Sequence, residues 1–92
     1  MIRSFKHKGL RRLFERNDRG QIGADLLHRV ENILSALDAA DAPQALDLPG
    51  YRLHRLKGDR TGYWAVTVRA NWRIIFRFEN GDALDVELID YH

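Results

Sequence analysis

Cysteine is absent from the 92-residue chain, which excludes disulfides, thiolate metal sites and a cysteine nucleophile. Serine occurs only as Ser4 and Ser35, and neither stands in a nucleophile-elbow motif, so a Ser-His-Asp hydrolase is disfavoured. The opening stretch MIRSFKHKGL has no apolar run. Neither a signal peptide nor a membrane span is therefore expected, and a cytoplasmic location is the default. Proline is confined to positions 43 and 49, and no repeat, linker or low-complexity segment breaks the chain. A chain this short makes one domain, 1–92, with a single core that buries about two-thirds of the unfolded surface.

Positive charge is missing from the last stretch, where residues 79–92 hold five acids and no Lys or Arg. Elsewhere the charges are blocked just as sharply. Residues 1–20 carry seven basic side chains against two acids, 21–50 one against five, and 51–78 seven against one. The formal net charge of +2 conceals this alternation, which places a basic face apart from an acidic one. In 51–78 the basic residues are interleaved with Tyr51, Tyr63, Trp64 and Trp72, a mixture suited to a polyanion such as RNA.

Two periodicities divide the chain. In HKGLRRLFER, Leu10, Leu13 and Phe14 share one side while Lys8, Arg11 and Arg12 form a basic outer face, the pattern of a short amphipathic helix. Ile22, Leu26, Val30, Ile33, Leu34 and Leu37 then recur at spacings of three and four, predicting a helix from about 23 to 39. Pro43 stops it, because the residue before a proline is pushed out of helical geometry. After Gly50 the period drops to two. YRLHRLKG (51–58), YWAVTVRA, WRIIFRF and ALDVELI read as strands, and Asn80-Gly81 marks a tight hairpin between the last two. Leu84, Val86 and Leu88 are expected inward, with Asp85 and Glu87 outward. IRSF at 2–5 is expected to add a strand at an edge. The predicted architecture is α+β: an antiparallel meander covered on one face by two N-terminal helices, with Arg69, Arg73 and Arg77 on the uncovered face.

Histidine is the side chain that titrates near neutral pH without help. His7 and His28 fall in helical segments with no companion at motif spacing and read as surface residues. His54 lies between Arg52 and Arg55, close to Lys57, and His92 follows Asp90 and Tyr91. Two imidazoles among cations suit transfer of an RNA phosphodiester to its own 2′-OH: one group removes the hydroxyl proton, another protonates the leaving 5′-oxygen, and fixed cations stabilise the charge between them. His54 and His92 are the candidate acid/base pair, Asp90 orients one of them, and Lys57 or Arg73 faces the phosphate. The same His54, Asp90 and His92 also have the ligand types of an open zinc site, although helical His spacings are absent and nearby arginines oppose a cation.

The segments MIRSFKHKGLRRLFER, LHRLKGDRTGYWAVTVRANWRIIFRFENGDA and the closing DYH resemble HigB-type toxins of the RelE/ParE toxin–antitoxin superfamily, also described as plasmid maintenance system killer proteins. The likeness runs nearly end to end and is weakest across 17–50. It implies a RelE-like two-layer fold and an endoribonuclease, an mRNA interferase that cuts mRNA in the ribosomal A site by metal-independent 2′-OH transfer, without cofactor. It further implies catalysis by His54, Asp90, Tyr91 and His92, with Lys57, Asn71 and Arg73, joined by Arg69, near the mRNA. The implied partners are a HigA-type helix-turn-helix antitoxin, the 30S ribosomal A site and, through the antitoxin alone, operator DNA. Lys8, Arg11 and Arg12 fit ribosomal RNA or an acidic antitoxin segment. A ParE-like action on DNA gyrase, or a non-catalytic module that binds RNA or antitoxin, remain the alternatives. Strict alternation would place Asp90 and His92 on the covered side, away from Arg73, so a strand end or break is expected at 89–92. With the terminus in the site, a C-terminal tag is expected to harm activity more than stability.

Overall fold

The computed structural model describes residues 1–91. Helix α1 (Lys8–Arg16) and helix α2 (Ala24–Ala39) lie on one face of a sheet formed by β1 (His54–Arg55), β2 (Trp64–Arg69), β3 (Trp72–Glu79) and β4 (Asp82–Asp90). The strands are antiparallel in the order β1-β2-β3-β4, as a meander requires. A short 3-10 turn at Pro43–Leu46 lies between α2 and the sheet, and another at Gly58–Arg60 lies between β1 and β2. No helix is long and apolar enough to cross a membrane.

The core follows the two periodicities. Leu26, Val30, Ile33, Leu34 and Leu37 of α2 are buried against Val66, Val68, Ile74, Phe76, Val86 and Leu88 of the sheet, with Leu10 and Leu13 of α1 closing the side. Phe76 is fully enclosed. Burying such a side chain contributes roughly 1.5–3 kcal/mol. The Asn80-Gly81 turn has φ of 53° and 83°, the pair of left-handed residues that a two-residue hairpin needs to match strand twist.

Three expectations change. The strand predicted over 51–58 shrinks to His54–Arg55, because Arg52 takes a left-handed φ of 52° and bends the chain before it. Leu56 still donates its N–H to Tyr63 O at 2.9 Å, so the pairing continues without regular strand geometry. The 2–5 segment does add at the edge of β4, but as two isolated parallel bridges, Ile2 to Ala83 and Phe5 to Val86. Leu84 is not inward. The β3–β4 register slips between Ile75/Glu87 and Arg77/Leu84, and Asp85 sits in the bulge at φ 53°. One extra residue reverses the side-chain phase, so Ala83 replaces Leu84 in the core while Val86 and Leu88 remain there.

His7, read from sequence as a surface residue, caps α1. Its Nδ1 accepts the Leu10 N–H at 3.1 Å. The ring packs so closely that a Cβ at Gly9 would meet its Cε1 at 2.9 Å and Gln21 Cβ at 3.0 Å. Burial pushes the His7 imidazole below the usual histidine range, with Glu87 pulling weakly the other way. The unfolded chain takes up a proton near pH 6.5 that the folded chain resists. His7 therefore contributes its full stability above that pH and loses it as the pH falls toward the folded value. His7→Asn keeps a capping acceptor that does not titrate. Urea titrations from pH 7.5 to 5 are expected to show wild type losing stability faster than the variant. Parallel pH profiles would contradict the cap's protonation sensitivity.

Candidate active site

His54 belongs to the two-residue strand β1, opposite Ala65 of β2, and therefore faces away from the helices. Its Nδ1 lies 2.9 Å from the carbonyl oxygen of Arg52, the residue whose left-handed backbone turns that carbonyl toward the ring. A carbonyl only accepts, so Nδ1 carries the proton of the neutral ring and Nε2 keeps a lone pair. The side chain is exposed. On the other side of β1, Arg55 stacks on the Trp64 ring at 5.0 Å.

Beyond β1 the chain makes a tight turn at Gly58–Arg60. Gly58 adopts φ 67°, and Thr61 Oγ1 donates to Gly58 O at 2.7 Å. Leu56, Lys57, Asp59 and Arg60 of this region line an open cleft of about 200 Å³ whose remaining described wall is Tyr91. Lys57 and Arg60 are exposed, and among the described residues neither is held in an ion pair. Leu56 is anchored in a small apolar cluster on this side of the sheet, buried with Ala65 and Ile75, with Tyr63 and Ile89 packed on them. A comparable cleft of about 230 Å³ between the helices, lined by Leu13, Phe14, Glu31, Leu34, Ser35 and Asp38, carries no cation or imidazole for phosphate chemistry.

Tyr91 is placed by the end of the sheet. The last ladder pair is Trp72 with Asp90, and the next N–H, that of Tyr91, donates to Asn71 O at 2.7 Å. The strand end expected at 89–92 is thus at Asp90. Asp90 lies opposite Trp72, on the helix side of the sheet, and is exposed, while Tyr91 reaches the cleft on the other side. His92 lies outside the described residues, and so does the part of the alternative metal set that depends on it.

Arg73 shares the outer face, opposite Thr67 on β2 and Ile89 on β4. Its Nη1 donates to Ala70 O at 2.6 Å and to Trp72 O at 3.1 Å, while its Nε is buried without a partner, as is Thr67 Oγ1. Farther along the same face Arg77 grips Asp85 through Nε and Nη2, both at 2.9 Å, and that carboxylate holds the guanidinium above its ordinary pKa. Lys6 donates to the Tyr63 hydroxyl at 3.0 Å, which raises its pKa. Arg77 and Lys6 are thus engaged, whereas Lys57 and Arg60 at the cleft are in no ion pair among the described residues.

Among the expected RNA contacts, Lys57 lines the cleft, and Asn71 supplies the carbonyl that holds Tyr91. Arg69 does not share the outer face. The register slips between Thr67 and Arg69, which brings Arg69 opposite Trp72 on the helix side, where it pairs with Asp25 at 3.2 Å. Lys8, Arg11 and Arg12 lie on α1 as expected, with Lys8 and Arg11 exposed and Arg12 half-buried. Arg60 was not singled out by sequence, although it stands three residues after Lys57 within the same GDR turn.

A family model described as the RelE-like toxin of type II toxin–antitoxin system HigB matches residues 3–92. Endoribonuclease HigB of Proteus vulgaris is 51% identical over 92 residues, spanning 100% of both chains. Toxin HigB-1 of Vibrio cholerae is 32% identical over 90 residues, covering 96% of this chain and 95% of its own. The fold is similar to that in a crystal structure of the heterotetrameric YoeB–YefM toxin–antitoxin complex from Staphylococcus aureus, with TM-score 0.61, 15% identity and coverage of 100% and 98%.

The His54 tautomer is directly measurable. Long-range ¹H–¹⁵N correlation spectra taken where the ring is neutral are expected to show Nδ1 protonated and Nε2 bare. A proton on Nε2 would contradict the contact to Arg52 O.

Proposed function

The chain belongs to the HigB-like family of RelE-like toxins of type II toxin–antitoxin systems, and from that premise we propose that it is a ribosome-dependent endoribonuclease acting on mRNA in the A site. The observation that carries this reading is the cleft in which Tyr91 meets Lys57 and Arg60, on the face of the sheet that also carries His54.

The reaction uses the RNA's own nucleophile. His54 Nε2 takes the proton of the 2′-OH as that oxygen attacks the adjacent phosphorus, and the P–O5′ bond breaks. The leaving 5′-oxygen receives a proton from His92, the partner expected from sequence, with the Tyr91 phenol at the cleft to hydrogen-bond the phosphate. The products are a 2′,3′-cyclic phosphate and a 5′-hydroxyl. Lys57 and Arg60 face the phosphate, where charge accumulates as the bond order changes, and fixed cations favour that state over the ground state. Asp90, on the other side of the sheet from the cleft, acts on the chain end rather than on the phosphate.

From the same premise we propose the partners. A HigA-type helix-turn-helix antitoxin holds the toxin inactive and carries operator recognition, and the 30S A site presents the mRNA. The place of action is the cytoplasm. The basic side of α1, with Lys8 and Arg11 exposed, fits ribosomal RNA.

Single-turnover cleavage of ribosome-bound mRNA tests the assignment. His54→Ala and His92→Ala are each expected to slow cleavage by about 10²–10⁴-fold, the usual contribution of a general acid or base. Lys57→Ala is expected to weaken binding and lower its salt dependence. Cleavage at wild-type rate by both histidine variants would remove them from the mechanism.

A further inference from the structure

Arg29 reaches from α2 to the segment that leads into β1. Its Nη2 donates to Gly50 O at 2.7 Å, and its guanidinium lies over the Tyr51 ring, 4.5 Å from the centroid. Among the described residues it pairs with no carboxylate. Its Nε is buried without a partner. An apolar side chain would cover Tyr51 without leaving a buried donor unsatisfied, a cost that native structures rarely carry. Neither charge pairing nor simple burial therefore accounts for a guanidinium here.

Both of its contacts act on the chain just before His54. Pro49 and Gly50 form the middle of a turn closed by the Tyr51 N–H to Leu48 O at 3.0 Å, with Gly50 at φ 83°. Tyr51 O accepts the Thr67 N–H at 2.7 Å, which ties the segment to β2. The next residue, Arg52, holds its left-handed φ of 52°, a conformation that a non-glycine residue keeps only when its surroundings impose it. That bend directs Arg52 O at His54 Nδ1. β1 is too short to impose the bend, having only two ladder pairs, His54 with Ala65 and Arg55 with Trp64. Arg29 clamps the chain on one side of the strained residue and β1 holds it on the other. The carbonyl between them fixes the proton of His54.

We propose that Arg29 is a positioning residue for His54: by clamping Gly50 and Tyr51 it holds the Arg52 carbonyl on Nδ1, and so keeps Nε2 bare to act as a base. The consequence for catalysis rests on the endoribonuclease reading, and the effect on the tautomer does not.

Arg29→Met keeps an apolar stem over Tyr51 and removes both the donor and the charge. Should that variant fail to fold, Arg29→Gln, too short to reach Gly50 O, is read in the same way. In long-range ¹H–¹⁵N spectra of the neutral ring, Arg29→Met is expected to show His54 as a mixture of tautomers, since the partner of one ring nitrogen decides which carries the proton. Single-turnover cleavage at saturating ribosome–mRNA complex should slow by about tenfold or more, the order expected for a displaced group. In a His54→Ala background the same substitution should cost less than about twofold, because a residue that acts through the imidazole has nothing left to position. A merely structural role predicts an equal loss in both backgrounds, and that result overturns the proposal. So does a His54 ring that keeps Nδ1 fully protonated in Arg29→Met, even if the protein cleaves no RNA. Failure of the wild type to cleave, with the tautomer change intact, would instead refute the endoribonuclease reading alone.

Discussion

The pairing of β3 with β4 is the constraint on which the rest of the molecule depends. It runs from Glu79/Asp82 at the hairpin to Trp72/Asp90 at the far end, with a single bulge at Asp85. Every other element is referred to it. The N-terminal segment bridges the outer edge of β4, α1 and α2 pack on its helix-side residues, and β2 and β1 extend from β3. The bulge is itself braced. Ser4 Oγ accepts the Asp85 N–H at 2.9 Å, and Arg77 binds the Asp85 carboxylate. A left-handed, non-glycine residue is costly, and here three separate contacts (Ser4, Arg77 and the Val86 ladder to Ser4 O) hold it in place.

The site is a consequence of where that pairing stops. Ladder geometry ends at Asp90, and one further hydrogen bond to the β2–β3 turn carries Tyr91 to the opposite side of the sheet from Asp90. The site therefore joins the two ends of the meander: the loop after the first strand and the chain just beyond the last. Electrostatics separate the site from its surroundings. On the sheet, Arg77 and Arg69 are matched by Asp85 and Asp25, and Lys6 by the Tyr63 hydroxyl, while Lys57 and Arg60 at the cleft are in no ion pair among the described residues.

Much of this was legible in the residues. The i, i+3, i+4 stripe gave α2 to within a residue, Asn80-Gly81 gave the hairpin, and alternation gave the faces of β2 and β3. What escaped were places where one residue changes phase or conformation. Alternation cannot foresee an extra residue, so Leu84 was placed inward and Arg69 outward. Arg52 has a side chain that gives no sign of left-handed backbone, and Asp85, a type that tolerates it, stands inside an alternating strand pattern with no turn signal beside it. His7 was read as exposed because its cap acceptor role depends on ring packing against Gly9, which spacing does not encode. Arg60 was missed because a turn residue acquires meaning only when the turn folds toward Tyr91. For the catalytic assignment, residue type and family likeness supplied the candidates, and the structure showed which side of the sheet His54, Asp90 and Tyr91 occupy.

The central claim is that the phosphodiester is cut by the RNA's own 2′-oxygen, with imidazole, phenol and cations arranged around it. Replacing the ribose at the scissile position with 2′-deoxyribose in a ribosome-bound mRNA removes that oxygen and little else. The account predicts that cleavage at that position is abolished while binding of the toxin to the ribosome is retained. Cleavage that persists at the deoxy position would mean an external nucleophile, and would contradict the mechanism.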